Sequence, residues 1–517
     1  MGFLSGGKNE HQGRQINAYN IFVLLLLGFG SITYGYSASI IATTLGQPSF
    51  LEYYALETRP GGLSLESCTN GLFFAGGVIG PLLLPWVADK YGRRASIALA
   101  ATLCLISGAI MAGSTNIGEF IVMRFVSGLG TMMMLAAIPL LMNEIVPNSM
   151  RGGLVELHSI FFILGYAIAA WVGFGFLFWK KGGVDNTWRP PLALQSGFAL
   201  LTLIALIWVP ESPRWLILQG RVEEAERILT RLHSDPRDPD KAYAKAELYQ
   251  IKKQIVIDRT LGNSWLDIIR KPSYRKRALI GMATCGFIQS SGDLVINNYG
   301  PTLYRLLGFS VVKQLLYPAA WLTFTLGVSV IAMPLIDRFP RNIYMAVGLW
   351  GCMCCLIVEA ALTAEFVPSH NTAALSAAVA MFFVFQIFDT AMLNAPEWAF
   401  LGEIFPTHIR AKGMCVSISM VSLTNVVYLQ AAPVAFANIG WRYYLVFIIL
   451  TFIGGFVFLF TFPDTRRLPL EEIAALFGDA HEVAIYHQEI EVDNETHTVI
   501  DHHNEFSDEK NTDLQKE

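Results

Sequence analysis

The stretch VADKYGRRAS, residues 87–96, places Asp89, Arg93 and Arg94 between two long apolar runs. A similar phrase, LIDRFPRN, returns at residues 335–342. Of the 517 residues, 53% are hydrophobic and only 15% are charged, whereas soluble domains carry roughly 25% charged residues. The composition therefore indicates an integral membrane protein, in which short charged loops separate apolar segments.

Twelve apolar runs are long enough to cross a bilayer core, which needs about 20 residues per helix. Six start near residues 21, 70, 95, 118, 153 and 190, and six near residues 278, 314, 343, 372, 413 and 443. These runs predict an all-α membrane protein with two six-helix bundles. We expect an N-terminus at 1–18, bundles at 19–209 and 278–463, a helical loop at 210–277 and a tail at 464–517.

The basic residues predict the orientation of the chain, since cytosolic loops carry an excess of lysine and arginine. The 210–277 loop alone holds 15 of the 37 lysines and arginines. Placing this loop inside makes both termini and the 464–517 tail cytosolic. The plasma membrane is the expected location, and the lipid bilayer is the expected surrounding.

Charged phrases of the first half recur in the second half at similar spacing. NEIVPNSMRGG corresponds to GEIFPTHIRAKG, and PESPR at residue 210 corresponds to PDTRR at residue 463. Because each half has an even number of spans, the repeat predicts parallel halves around a central cleft. Recurring acid–arginine phrases at helix ends indicate a network of ion pairs that breaks and reforms as the halves move. The alternative is that these charges only hold the loops inside. The predicted network comprises Asp89, Arg93, Arg94, Glu144, Arg151, Glu211, Arg214, Asp337, Arg341, Glu403 and Arg410.

These phrases, with VMRFVSGLG around Arg124, resemble the sugar porter family of the major facilitator superfamily, and fungal members most. The resemblance covers residues 18–478. It implies a twelve-helix transporter that moves a hexose, a pentose or a short oligosaccharide by alternating access. It implies no cofactor and no metal.

A polar stretch in the seventh span is the first candidate for sugar binding, because a neutral polyol requires amide, hydroxyl and indole groups. Gln289, Asp293 and Asn297 recur every four residues, which places them on one helix face. Helix packing through amides is the alternative.

The family alignment adds further binding candidates and shows departures. The family's tyrosine pair reads Asn298-Tyr299, and its helix-5 glutamine positions hold Ser159 and Tyr166. Asn425 matches a family asparagine. Trp398 occupies the position of a sugar-stacking tryptophan, although an indole there can equally fill a helix interface. The framework is retained and the pocket is rewritten.

Proton coupling is left open by the sequence. In proton-coupled relatives, an aspartate on the first helix faces the arginine that corresponds to Arg124, but here that aspartate is Ser37. This substitution favours facilitated transport. Asp293, Asp389 and Glu397 are rival acids within predicted spans, and Asp293 is the best candidate among them.

Other functions fit the sequence less well. A quinate-like acid or another metabolite is an alternative cargo, and a non-transporting sugar sensor is another function. The chain shows no nucleophile with a paired base and no phosphate-binding loop, so we expect no enzyme activity. We expect a monomer that does not bind nucleic acid.

Overall fold

The computed structural model describes most of the chain. It covers residues 17–146, 156–179, 186–233, 241–262, 264–306, 308–333, 335, 338–366, 372–406, 408–465, 473, 476–479, 490–492 and 499–501.

The first half begins with a long helix at residue 18 and ends at residue 205. Its helices are α1 (Ala18–Leu45), α2 (Pro48–Tyr53), α3 (Gly62–Tyr91), α4 (Arg93–Gly113), α5 (Ile117–Ile145), α6 (Leu157–Leu177) and α7 (Arg189–Ala205). Four further helices connect the halves: α8 (Pro213–Leu218), α9 (Val222–Leu232), α10 (Ala242–Thr260) and α11 (Trp265–Arg270).

The second half contains broken helices at two places. Its helices are α12 (Pro272–Gln289), α13 (Asp293–Leu306), α14 (Val311–Ala332), α15 (Arg341–Phe366), α16 (Thr372–Asp389), α17 (Ala395–Ile404), α18 (Arg410–Ile439) and α19 (Tyr444–Thr461). A π-helical turn, Thr390–Asn394, joins α16 to α17. In the tail, β1 (Ile490–Val492) pairs antiparallel with β2 (Val499–Asp501).

The predicted membrane fold is confirmed. Ten helical stretches in the described ranges are long and apolar enough to cross a bilayer. The last stretch, Arg410–Thr461, contains both α18 and α19, and α7 is a shorter helix of 17 residues. Together these helices account for the twelve spans, arranged as two six-helix halves.

The seventh span starts earlier than the sequence predicts and is interrupted. It begins at Pro272 rather than near residue 278, and it breaks between α12 and α13. Gly292 lies in this break with φ +87°, a conformation that residues with a Cβ rarely adopt. A second kink lies at Tyr299, whose φ is −110° and ψ is 15°. The break frees backbone groups at mid-span, which is tolerated where the backbone is buried or lines a cavity.

Candidate substrate cavity and charged helix ends

A cavity lies between the two halves. The first half contributes Tyr34, Leu135, Phe162, Ile163 and Tyr166 to its lining. The second half contributes Gln289, Asp293, Leu294, Asn297, Trp321, Leu322, Thr325, Gln386, Thr390, Asn394, Glu397, Trp398 and Val421. The two walls therefore differ: the first is aromatic and apolar, and the second carries most of the polar groups.

The aromatic wall is built by α1 and α6. The Tyr166 hydroxyl donates to the Tyr34 hydroxyl at 3.2 Å, and the Tyr34 ring meets the Phe162 ring edge-on at 5.6 Å. Phe162 and Tyr166 are four residues apart on α6 and so share a face. Tyr166, a sequence-predicted residue, thus lies in the cavity wall.

Three predicted residues of the seventh span line the cavity despite the break in the helix. Gln289 ends α12, while Asp293 and Asn297 lie on α13. The Asn425 amide donates to Gln289 Oε1 at 3.0 Å, and the Ser39 hydroxyl of the first half donates to Asn297 Oδ1 at 3.3 Å. These hydrogen bonds hold two amides in place, one of them through a contact between the halves.

A second polar stripe, which sequence reasoning did not assemble into a site, lies on α16, the π-helical turn and α17. Gln386, Thr390, Asn394 and Glu397 all line the cavity. Their spacing of four, four and three residues is a helical period within an apolar span, so it was the signal that could have identified them. The π-helical turn lies in the middle of this stripe, and such turns are frequent at functional sites.

Trp398 also lines the cavity, with only 5% of its surface exposed. The Phe162 ring lies 6.3 Å away and the His158 ring 5.9 Å away, both edge-on. The indole Nε1 has no hydrogen-bond partner in the described part of the chain. A buried indole usually has a partner, so this N–H is available to a ligand.

The remaining predicted binding residues lie behind the lining or away from it. Asn298 donates to the Leu294 carbonyl within α13 at 2.9 Å, and the Tyr299 hydroxyl donates to the Leu429 carbonyl at 3.0 Å. Asn425 supports Gln289 from behind. Ser159 is 1% exposed and is not part of the lining.

Arg124 and Ser37 lie together in the first half. Arg124 Nε donates to the Thr69 carbonyl at 3.1 Å, and Nη1 donates to the Ser37 carbonyl at 3.4 Å. The guanidinium also lies 4.2 Å from the centroid of the Phe73 ring. Arg124 thus binds backbone carbonyls and an aromatic face.

The charged helix ends of the first half form one connected network. Arg93 binds Glu144 at 3.1 Å and Asp89 at 3.4 Å. Glu211 accepts from the backbone N–H groups of Arg93 at 2.9 Å and Arg94 at 3.2 Å. Burial raises the pKa of Glu211, although these hydrogen bonds oppose the shift.

Gly92 is required at the centre of this network. Its φ of +99° is unfavourable for residues with a side chain, and a Cβ there would lie 2.4 Å from Glu211 Oε2. The VADKYGRR phrase therefore contains a glycine because Glu211 approaches the backbone at this point.

The second half repeats the arrangement. Arg341 forms an ion pair with Glu403, and its backbone N–H donates to Asp464 at 3.2 Å. Arg410 Nε donates to the Phe405 carbonyl at 3.3 Å. These ion pairs join helix ends within one half. Arg214 lies on α8, and Arg151 and Asp337 lie outside the described residues.

Comparison with protein families gives a match over most of the chain. The family model described as "Sugar (and other) transporter" matches residues 23–477.

Curated relatives are similar over nearly their whole length. The MFS-type transporter criB of Aspergillus cristatus is 28% identical over 88% of this chain and 92% of that protein. The arabinose-proton symporter of Bacillus subtilis is 29% identical over 88% of this chain and 95% of its own. The high-affinity glucose transporter of Kluyveromyces lactis is 25% identical over 90% and 86%.

Solved structures share the fold. The proton:xylose symporter XylE bound to 6-bromo-6-deoxy-D-glucose superimposes with a TM-score of 0.77 at 23% identity. The alignment covers 89% of this chain and 99% of the symporter. At this identity the likeness demonstrates the major facilitator fold alone.

Proposed function

Since the chain belongs to the family of sugar (and other) transporters, we propose that it carries a neutral sugar across a membrane by alternating access. The observation that carries this proposal is the cavity between the halves, with amides on one wall and aromatic rings on the other. Hexoses, pentoses and short oligosaccharides all present hydroxyl groups, which the polar groups of this cavity can bind.

The lining suits a polyol. Gln289, Asn297 and Asn394 present amides that both donate and accept hydrogen bonds, as sugar hydroxyls require. Trp398 and Tyr166 offer flat apolar faces to the C–H side of a pyranose ring. We propose that these residues, together with Asp293, contact the cargo and that Asn425 positions Gln289.

A quinate-like acid fits this cavity less well. Its carboxylate would need a cationic partner, since a buried unpaired charge is costly. Among the described residues that line the cavity there is no Lys, Arg or His, whereas Asp293 and Glu397 are both acidic. The electrostatics of the lining therefore favour a neutral cargo.

We propose that the charged helix ends hold each half together as the protein changes between its two orientations. The Arg93–Glu144 and Arg341–Glu403 pairs tie helix ends within each half, so each half can move as a unit. We propose that this charged side is cytosolic, together with both termini. We propose further that the protein acts in the plasma membrane as a monomer.

Counterflow in proteoliposomes tests the proposal directly. Proteoliposomes that contain the purified full-length protein are loaded with an unlabelled sugar, and entry of the same labelled sugar is measured. The panel comprises hexoses, pentoses and disaccharides, with quinate tested in parallel. Exchange of at least one sugar, with loss of affinity in Trp398→Ala, supports the proposal. Exchange of quinate and of no sugar would overturn it.

A further inference from the structure

Three carboxylates lie in the second half beside the cavity: Asp389 and Glu397 are buried, and Asp293 is half-buried. Asp293 and Glu397 line the cavity, and Asp389 lies behind it, fully buried. Asp389 accepts from the Ser291 hydroxyl at 3.1 Å and from the Asn394 amide at 2.6 Å. Asp293 and Asp389 interact electrostatically with each other. Two acids therefore lie in one wall of the cavity, and a third lies behind that wall.

No cation faces these acids in the described part of the cavity lining. Arg124, the buried arginine of the first half, is directed at the carbonyls of Thr69 and Ser37 instead. Ionised carboxylates are costly inside a membrane, and two that share one site repel each other.

Polar atoms in the same wall also lack partners. Gln386 Oε1 and Glu397 Oε1 make no hydrogen bond among the described residues, and these side chains are 3% and 1% exposed. Both residues line the cavity. Buried polar atoms normally have partners, so these atoms indicate that a small ligand completes this wall.

We infer that Asp293, Asp389 and Glu397 form a proton-binding site, so that sugar and proton cross the membrane together. This inference rests on the proposed sugar transport. A proton fits better than a metal ion, because Ca²⁺ and Mg²⁺ require six or more oxygen ligands and both oxygens of Asp389 already accept hydrogen bonds.

The proton step is a simple binding and release. In one orientation of the halves, a proton from water forms an O–H bond with a carboxylate oxygen of the cavity. Protonation removes the repulsion within the acid wall and provides a hydrogen-bond donor to a sugar hydroxyl. In the other orientation the proton returns to water on the opposite side.

Other titratable groups surround the three acids and belong in the test. They are Tyr34 of α1, His158 and Tyr166 of α6, Cys285 of α12 and Cys352 of α15. His158, which packs edge-on against Trp398 and bonds Ser31 at 2.7 Å, is the strongest competitor. The variant His158→Gln therefore accompanies the acid variants.

The experiment compares two rates in the same proteoliposomes of full-length protein. One is sugar accumulation driven by an acid-outside pH gradient, and the other is sugar counterflow without a gradient. In the wild type, the gradient drives accumulation and a protonophore abolishes it. Asp389→Asn and Glu397→Gln each lower the ratio of accumulation to counterflow about tenfold, equivalent to about 1.4 kcal/mol.

Glu359→Gln is the matched control. Glu359 is a buried acid of α15 in the same half, 2% exposed, and it does not line the cavity. This variant keeps the wild-type ratio. Two results overturn the inference: wild-type protein that shows counterflow but no accumulation driven by the pH gradient, or uncoupling by His158→Gln with normal coupling in the acid variants.

A separate readout applies if no sugar shows counterflow, an outcome that contradicts the proposed function. Infrared difference spectra of the substrate-free protein then follow the carboxylic-acid C=O stretch during a pH shift. A titrating band that weakens in Asp389→Asn and persists in Glu359→Gln supports the proton site. A wild-type protein without such a band contradicts it.

Discussion

Arg93 and Glu144 form a two-point ion pair that joins the start of α4 to the end of α5. Nε lies 3.1 Å from Oε2 and Nη2 lies 3.2 Å from Oε1. The side chains are only 8% and 12% exposed, and Arg341 with Glu403 repeats the pair in the other half. Such forked, partly buried ion pairs are stronger than exposed ones. One of them therefore holds two helix ends together on the charged side of each half.

Loss of either ion pair should slow turnover more than it weakens sugar binding. We expect Arg93→Ala and Arg341→Ala each to lower the maximal counterflow rate about tenfold with little change in KM, because neither residue touches the cavity. Initial rates over a range of sugar concentrations measure both quantities. The control is Arg221→Ala, which removes an ion pair to Glu224 whose side chains are 54% and 42% exposed. A KM that rises as much as the rate falls would contradict a gating role.

Gln289 and Asn425 should behave as one unit in substrate binding. The Asn425 amide donates to Gln289 Oε1 at 3.0 Å and to the Val421 carbonyl at 2.8 Å, and Asn425 is not itself part of the cavity lining. We expect Gln289→Ala to raise KM about tenfold, the loss of roughly one hydrogen bond, and Asn425→Ala to raise it less. The double variant should resemble Gln289→Ala alone, because neighbours that share an interaction are not additive. Fully additive effects in the double-mutant cycle would show that Asn425 acts independently.

Trp398 should contribute both a stacking face and a hydrogen-bond donor. We expect Trp398→Phe to raise KM about threefold to tenfold, since it keeps an aromatic face and removes the unpartnered Nε1–H. Trp398→Ala should have a larger effect. Trp208→Phe serves as the control, because Trp208 is 55% exposed and outside the cavity. Equal KM values for Trp398→Phe and the wild type would remove the indole N–H from sugar recognition.

The connecting helices should dock more firmly at acid pH. His233 Nδ1 lies 2.6 Å from Glu247 Oε2, and Nε2 lies 2.9 Å from the Ile145 carbonyl at the end of α5. Two acceptors suit a doubly protonated ring. Burial lowers the pKa of His233, but these partners outweigh it and raise the pKa above the ordinary 6.5.

The raised pKa gives the sign of the pH dependence. The stabilisation of the connecting helices by protonated His233 is fully present below pH 6.5. It is lost as the pH rises through the folded-state pKa of His233. We expect hydrogen exchange in α9 (Val222–Leu232) and α10 (Ala242–Thr260) to accelerate above that pKa by more than the intrinsic rate increase. Glu247→Gln should remove most of this change, and Glu226→Gln, on an exposed position of α9, should not. An identical pH response in Glu247→Gln would contradict the interpretation.

Asp479 should stabilise the second half, because its ion pairs hold the chain that follows α19 in place. Its carboxylate lies 2.9 Å from Arg277 and 3.1 Å from Lys271, and the Asp479 and Arg277 side chains are 6% and 2% exposed. Breaking a buried ion pair costs about 3 kcal/mol. We therefore expect Asp479→Asn to lower Tm of the detergent-solubilised protein clearly. Glu365→Gln, an exposed acid of α15, should leave Tm unchanged.

Much of the architecture was predictable because hydropathy is a local property. Each span needs only enough consecutive apolar residues to cross the bilayer, so the spans of the predicted fold could be counted directly. Charged phrases such as VADKYGRRAS could be recognised for a similar reason: the acid and the arginine lie within a few residues. The repeat of these phrases also placed Arg341 in the predicted ion-pair network, although its partner Glu403 lies in the same half and not across the cleft.

The cavity was predictable only in part, because a helical period tells which residues share a face and not what that face meets. Gln289, Asp293 and Asn297 were found in this way, whereas Asn298 and Tyr299 bond to α13 and α18 backbone instead. Asn425 lies one layer behind Gln289.

What the sequence determined by itself was the number of spans, the two-fold repeat and the charged helix ends, all of which depend on residues close together in the chain. What only the tertiary structure decided was the composition of the cavity. The seventh span breaks at Gly292, and a π-helical turn at Thr390–Asn394 joins α16 to α17. Asp293 and Glu397, one beside each distortion, line the cavity together with Tyr166 of the other half. The physical reason is that such distortions are stabilised by neighbouring helices, and those neighbours are distant in the sequence.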